Sequence, residues 1–311
     1  MRMKLTVAIV YCDKDKQYVP GLIRNIEDCV KFPHEIVLVD NTTEGDRVGE
    51  GRYFWMGGNR SAAQGRKKAS ELAEGDYIWF VDADDEVFPL EEPDGNFDMY
   101  VYGYEIFSGK DDLFRAEPEG DYVIEGEWLF NRTTYDYLGQ TLWNKIIRLS
   151  VVREVESMIP PTWTSRPGED ILLYAACYVR SRSVVFRKPV IYRYRADRSV
   201  ATNPSMTLEM FRAVLYGCKE SHELGVRLLK GFDRKLGFDT DYVQDIRYYL
   251  GRIRNAADER SGKIMMEELM DYFGKDKVLS IAEKEYPDLE RLYSDTAFHN
   301  MSSVYSGEGT D

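Results

Sequence analysis

Histidine and cysteine are scarce in this sequence, with three and four residues in 311. His34, His222 and His299 are too few for a His-rich metal centre. Cys12, Cys29, Cys177 and Cys218 lie far apart and form no CxxC pair. That excludes a disulfide scaffold and a cysteine-based zinc site, and fits a reducing compartment. No apolar run approaches the roughly 20 residues that span a bilayer. The run Leu5–Val10 is too short for a signal peptide and leads straight into Asp13, Lys14 and Asp15. A soluble, cytoplasmic protein is expected. There is no GxGxxG and no Walker loop, so dehydrogenase and kinase readings have no support. Positive charge is also short, since 41 Lys and Arg face 54 Asp and Glu, for a net charge of −13. Such a chain repels nucleic acid and anionic membrane unless its cations cluster. A cluster does occur at Arg180, Arg182, Arg187, Lys188, Arg193, Arg195 and Arg198. A solvated face and a phosphate-facing patch are both open readings of it.

What is present is a globular composition, 43% hydrophobic and 31% charged, in a chain long enough to bury its own core. Apolar runs at Val7–Cys12, Glu35–Asp40 and Tyr77–Val81 predict buried strands. Helical spacing at Val19, Leu22, Ile23, Ile26 and Val30, and again at Ala62, Arg66, Ala69 and Ala73, separates them. Gly75 is placed to close the second helix. Strands alternating with helices imply an α/β fold with a mainly parallel sheet. Beyond Pro93, Phe97–Phe107 and Asp121–Glu125 look strand-like, and Val184–Arg195 reads as two strands broken at Pro189. Helical periods dominate from Met206, with a boundary expected at Asn203-Pro204. Residues 1–203 then form one domain and residues 204–311 a helical appendage.

The strongest local signal is Val81-Asp82-Ala83-Asp84-Asp85. Ligands of open parallel sheets bind beyond the carboxyl ends of strands. Acidic side chains crowded there repel, and a hard cation such as Mg²⁺ or Mn²⁺ relieves that cost. The bland alternative is an acidic loop. Asp40 ends the earlier strand in the same way, either capping a turn or accepting a ligand N–H. Arg66, in Gln64-Gly-Arg-Lys-Lys68, is an exposed basic turn or a contact to phosphate or base. Glu169-Asp170 suits a helix start, because Ile171–Val179 is helical in pattern. Trp143 alone is most simply a core residue.

Taken in order, these pieces resemble a family 2 glycosyltransferase of the GT-A fold over residues 5–200, about two thirds of the chain. The similarity rests on Val7–Cys12, Ile36–Asp40, Gly65-Arg-Lys67, Asp82-Ala-Asp-Asp85, Leu142-Trp-Asn-Lys145, Gly168-Glu-Asp170, and Pro189–Arg195 with Ser199. The resemblance implies a nucleotide-sugar donor, usually a uridine diphosphate sugar, bound with Mn²⁺ or Mg²⁺. By motif position it gives the base to Asp40, the nucleotide to Arg66, the ribose to Asp82, the metal to Asp84 and the donor sugar to Asp85. It makes Asp170 the general base of an inverting transfer to an acceptor hydroxyl. Trp143 and Lys145 then line the donor or acceptor site, and Arg195 and Ser199 close over the diphosphate. Two departures stand out: the family's Ala-Arg-Asn reads Gly-Arg-Lys here, and Asn-Thr-Thr follows Asp40 in place of Asp-Gly-Ser.

The assignment is chemically coherent. A diphosphate leaving group gathers charge that metal and basic side chains offset, and the attacking hydroxyl needs a base. Rival readings are a non-catalytic nucleotide-sugar or glycan binding module of the same fold, and a phosphatase of the haloacid dehalogenase type. In the latter the DxD sits on the first strand, whereas two strand–helix units precede it here. The acceptor is open at this stage among glycan, lipid-linked saccharide, protein and nucleic acid, and a homo-oligomer is compatible with the sequence.

Overall fold

The computed structural model describes residues 3–58, 60–109, 111–125, 141–160, 163, 169–196, 206–229 and 243–293. These residues divide into two compact units, Met1–Thr202 with Tyr216–Thr240, and Asn203–Leu215 with Asp241–Asp311.

The first unit is built on one mixed sheet. Its strands are β1 (Leu5–Tyr11), β2 (His34–Asp40), β3 (Arg52–Trp55), β4 (Tyr77–Asp82), β5 (Glu86–Val87), β6 (Met99–Ser108), β7 (Asp111–Ala116), β8 (Tyr122–Glu125), β9 (Lys145–Arg148) and β10 (Ser183–Arg195). The order is β3-β2-β1-β4-β9-β6-β10-β5, with β7 on β6 and β8 on β10. Strands β3, β2, β1 and β4 are parallel, as are β6 and β10. Between them β9 runs antiparallel to both β4 and β6, so β4, β6 and β10 all point the same way. Their carboxyl ends therefore share one edge, which is the edge where the acidic turn after β4 lies.

Helices cover both faces, which is why β1, β2 and β4 read as near-continuous apolar runs. On one face α1 (Val19–Cys29) buries Val19, Leu22 and Ile26 beside Trp79, Tyr100 and Tyr192. On the other lie α2 (Ala62–Leu72), α3 (Leu149–Met158) and α4 (Glu169–Arg180), packed on Val37, Val39, Ile78 and Phe80. Trp79 and Ile78 are fully buried on opposite faces, each contributing about 2 kcal/mol of burial free energy. Leu224 and Leu228, in the later part of α5 (Leu208–Leu229), belong to the same core as α4.

Two local expectations change. Val184–Arg195 is one strand, not two. Pro189 sits where the register on β6 slips between Arg187 and Val190, so the ladder absorbs the missing N–H as a bulge. Gly75 does not close α2, which ends at Leu72 with Ala73 as its cap. A Cβ at Gly75 would lie 2.7 Å from the Thr6 backbone nitrogen, so glycine is needed there for close chain approach.

The second unit is helical among the described residues: α6 (Val243–Arg254), α7 (Glu259–Phe273), α8 (Lys275–Glu285) and a 3₁₀ turn at Pro287–Leu292. Asp258 caps α7 by accepting from the Ser261 N–H at 2.8 Å. Its core gathers Phe211, Leu215, Ile246, Leu250, Met265, Leu269 and Val278, all buried.

Candidate active site

The acidic turn Asp82–Asp85 follows β4 at the carboxyl edge of the sheet. Its shape is set by hydrogen bonds. Asp85 donates its N–H to the Asp82 carbonyl at 3.2 Å. Tyr192 of β10 donates its hydroxyl to Asp85 Oδ2 at 2.6 Å and accepts the Asp82 N–H at 3.0 Å. The Arg195 N–H reaches Asp85 Oδ1 at 2.7 Å, and its guanidinium spans the Asp84 carbonyl at 3.1 Å and Glu86 at 2.6 Å. Asp85 is thus an internal brace. Burial, then the charge of Asp82, pushes its carboxyl far above the ordinary range. Arg195 braces the same turn from outside.

Asp84 differs. Its pKa is also raised, by burial first and then by Asp82 and Asp15, with Lys14 and its own backbone N–H opposing. Asp15, in the loop after β1, carried no sequence signal toward this group; only the fold brings it near. Among the described residues no three Asp, Glu, His or Cys side chains gather closely enough to hold a metal by themselves.

Arg66 ties the turn to a distant segment. Serine at position 61 caps α2 through the Gln64 N–H, and the next turn buries Arg66. Its guanidinium reaches Asp82 at 3.2 Å and Glu169 at 2.9 Å. Burial works against that charge, but Asp82, Glu169 and Asp170 together hold it more firmly protonated than usual. Asp170 lies in the first turn of α4 and accepts the Ile171 N–H at 2.9 Å. Burial, followed by neighbouring Glu169, raises its carboxyl above the usual range, and Arg66 pulls the other way. One arginine thereby gathers residues more than 80 positions apart in the chain.

Other sequence candidates can be placed as well. Asp40 is fully buried and spends its carboxylate locally. It accepts the Thr42 N–H at 2.7 Å, the Asp46 N–H at 2.6 Å and the Tyr53 hydroxyl at 2.7 Å. This is the turn-capping reading of Asp40, and it leaves little of the carboxylate for a ligand. Trp143 and Lys145 part company. A tight turn, with the Lys145 N–H on the Leu142 carbonyl at 3.0 Å, sends Trp143 to the α1 face. Lys145 goes to the other face, 4.5 Å from the Tyr174 ring centroid, fully buried. Desolvation drives its ammonium well below its usual pKa. Asn144 steadies the turn by exchanging bonds with Tyr102, at 2.7 and 3.0 Å. Ser199 lies outside the described residues.

The basic cluster is largely spent on ion pairs. Arg187 meets Asp121 at 2.8 Å and Asp94 at 3.5 Å, Arg193 meets Glu86 and Glu105, and Arg180 meets Glu154. The solvated-face reading therefore fits it better than a phosphate-facing patch.

With this geometry in view, the comparisons are informative. Residues 6–93 match the model of Glycosyl transferase family 2, a stretch that holds β1 through the acidic turn. That stretch is similar to glycosyltransferase family 2. Solved structures add the fold. The S. aureus protein TarS, residues 1–349 in complex with UDP, superposes with a TM-score of 0.53 at 17% identity, covering 92% of each chain. The same fragment in complex with UDP-GlcNAc gives 0.55 at 16% identity over 91% of each chain. Against the longer TarS structure the match covers 91% of this chain and 55% of that one. At these identities the likeness shows a shared GT-A architecture. No curated protein matches the sequence significantly. No helix among the described residues is long and apolar enough to cross a membrane.

Proposed function

We propose that this glycosyltransferase moves a sugar from a uridine diphosphate donor to an acceptor hydroxyl, with inversion at the anomeric carbon. The observation that supports this best is the Arg66 bridge, which sets the candidate base Asp170 beside the acidic turn. UDP and UDP-GlcNAc in the TarS structures make a uridine nucleotide the first donor to test. Asp170 accepts the acceptor's proton. Its raised pKa suits that task, because a base works best when its pKa nears the working pH. The catalytic domain would be residues 1–203 together with Tyr216–Thr240, and the rest of residues 204–311 an appendage. The free thiols of Cys12, Cys29 and Cys177 suit a cytoplasmic setting.

A divalent cation, Mg²⁺ or Mn²⁺, fits the donor chemistry of the turn. Asp84 is a half-buried carboxylate under repulsion from two others, and one or two carboxylates plus substrate phosphates is how such ions are usually held. When bound, the ion would offset charge on the departing diphosphate. Asp84 would hold it, with Asp82 kept in place by Arg66. Asp85, Arg195 and Tyr192 shape the turn, and this protein-side bracing sets the position of Asp84 before any ligand arrives.

Calorimetric titration with UDP, GDP, CDP and dTDP, each with and without Mn²⁺, tests the reading. Binding of UDP that requires the metal is the expected result. A folded protein that binds no nucleotide in the presence of metal would return the chain to the binding-module reading.

A further inference from the structure

An aromatic wall leads away from the acidic turn, and its outer rings belong to none of the roles above. It begins at Tyr192, whose hydroxyl holds Asp85. Trp143 stacks on Tyr192 at 4.7 Å, with planes 16° apart, and on Tyr194 at 5.7 Å, with planes 12° apart. Tyr104 meets the Trp143 indole edge-on at 4.7 Å, and Phe114 of β7 lies 6.0 Å beyond Tyr104. The wall starts buried and ends open: Tyr192 is fully buried, Trp143 is 7% exposed, Tyr104 and Tyr194 are half-buried, and Phe114 is 53% exposed.

Its location follows from the sheet. Tyr104 on β6 and Tyr192 on β10 are register partners on strands that point toward the catalytic edge. Where β9 stops pairing with β6, after Val101, β7 takes over from Tyr104 onward and brings Phe114 to that edge. A single exposed phenylalanine on a sheet margin needs no explanation. A contiguous row of rings running from solvent to the turn that positions Asp84 does.

The rim is polar but electrically closed. Arg115 pairs with Glu105 at 2.7 Å and with Glu117 at 2.7 Å. Arg193 and Arg195 stack on Phe107 while paired to acidic residues. No uncompensated cation among these groups attracts a phosphate or a sulfate, and the chain's net charge of −13 repels polyanions. Aromatic faces with paired ionic groups at the margin match a pyranose, which offers C–H groups on its face and hydroxyls around its edge. The successive ring steps make the wall longer than one sugar ring.

We propose that Phe114, Tyr104 and Tyr194 form an acceptor platform of this transferase beside the acidic turn, and that the acceptor is a neutral oligosaccharide. This rests on the transferase reading above and names the substrate class of that site. Neither a lipid surface nor an anionic polymer suits a wall so narrow and so charge-neutral.

The test uses the full chain with UDP and Mn²⁺ on an array carrying neutral oligosaccharides beside sialylated, sulfated and phosphate-bearing ones. Wild type is expected to retain neutral oligosaccharides. Phe114→Ala should weaken that binding about tenfold, Phe114→Trp should preserve it, and both should keep UDP affinity. In transfer assays with the best neutral hit, Phe114→Ala should raise KM for the acceptor and leave kcat nearly unchanged. Retention of anionic glycans only, retention of none while UDP binds, or indifference to Phe114→Ala would each overturn the platform. Failure of wild type to bind UDP would strike the underlying transferase reading, a result visible in the nucleotide titration before any glycan is applied.

Discussion

Two aspartates stand at the carboxyl ends of the parallel strands β2 and β4, which flank β1 at the same edge of the sheet, and they have opposite fates. Asp40 closes β2 with its carboxylate filled by two backbone N–H groups and a tyrosine hydroxyl. Its pKa falls, because those donors outweigh the burial that pushes it up. Asp84 stands just beyond β4, partly desolvated and with its charge opposed by Asp82 and Asp15, and its pKa rises. The first aspartate stabilises the fold as an anion. The second is strained as an anion until something positive arrives. Sequence position cannot separate them; the count of donors around each can.

The largest effects should come from the strained side. Asp170→Asn keeps the shape of the site and removes the base, so transfer should fall about a hundredfold to ten-thousandfold while UDP affinity stays put. The wild-type rate should also fall on acidification, because only the ionised carboxyl accepts a proton. With its pKa raised, that fall begins above the ordinary carboxylate range. A pH–rate profile of wild type and variant checks both points, and full activity in the variant would reassign the base. Asp84→Ala should abolish metal-dependent UDP binding, cutting transfer by about a hundredfold or more, without lowering the melting temperature. If the variant melts well below wild type, Asp84 is a structural residue like Asp40.

Asp40→Ala should behave in reverse. Three donors lose a charged acceptor in a dry site, which costs on the order of 3 kcal/mol of stability. The pH dependence has a definite sign. A depressed pKa stabilises the fold above the unfolded carboxylate value, and that stabilisation is lost as pH falls through the lower folded value. Denaturant unfolding at neutral and at strongly acidic pH should therefore show the wild-type advantage shrinking in acid.

Much of the layout was legible in advance. The apolar runs and the carboxylates after them mark β1, β2, β4 and the acidic turn, because a strand buried on both faces has little freedom in composition. The helix start at Glu169-Asp170 was legible for a similar reason. What the sequence hid depends on three-dimensional saturation. Nothing in Val-Asp-Asn-Thr says that Tyr53 and Asp46 will return to fill the Asp40 carboxylate. Nothing in Trp-Asn-Lys says that a turn will place Trp143 and Lys145 on opposite faces. Arg195 was expected over the diphosphate by motif order, yet it spends its guanidinium on the Asp84 carbonyl and Glu86. The basic cluster likewise lost its phosphate-facing reading only when its acidic partners came into view. Local chemistry names the residue types, and the fold decides which of them have bonds to spare.

The finest probe of the comparison is Tyr53→Phe. It removes one of three donors to Asp40, the hydroxyl at 2.7 Å from Oδ2, and leaves the ring in place. Tyr53 is itself pushed up to about 12, burial first and then Asp40, so its proton is held fast at any working pH and the bond is always present. Losing it should cost about 1 kcal/mol, a third or so of the Asp40→Ala effect. The two changes share one hydrogen bond, so the double variant should be less destabilised than the sum of the singles. Urea unfolding of the four proteins closes that cycle. Simple additivity would mean that Tyr53 steadies β3 on its own account, and that Asp40 is held by backbone alone.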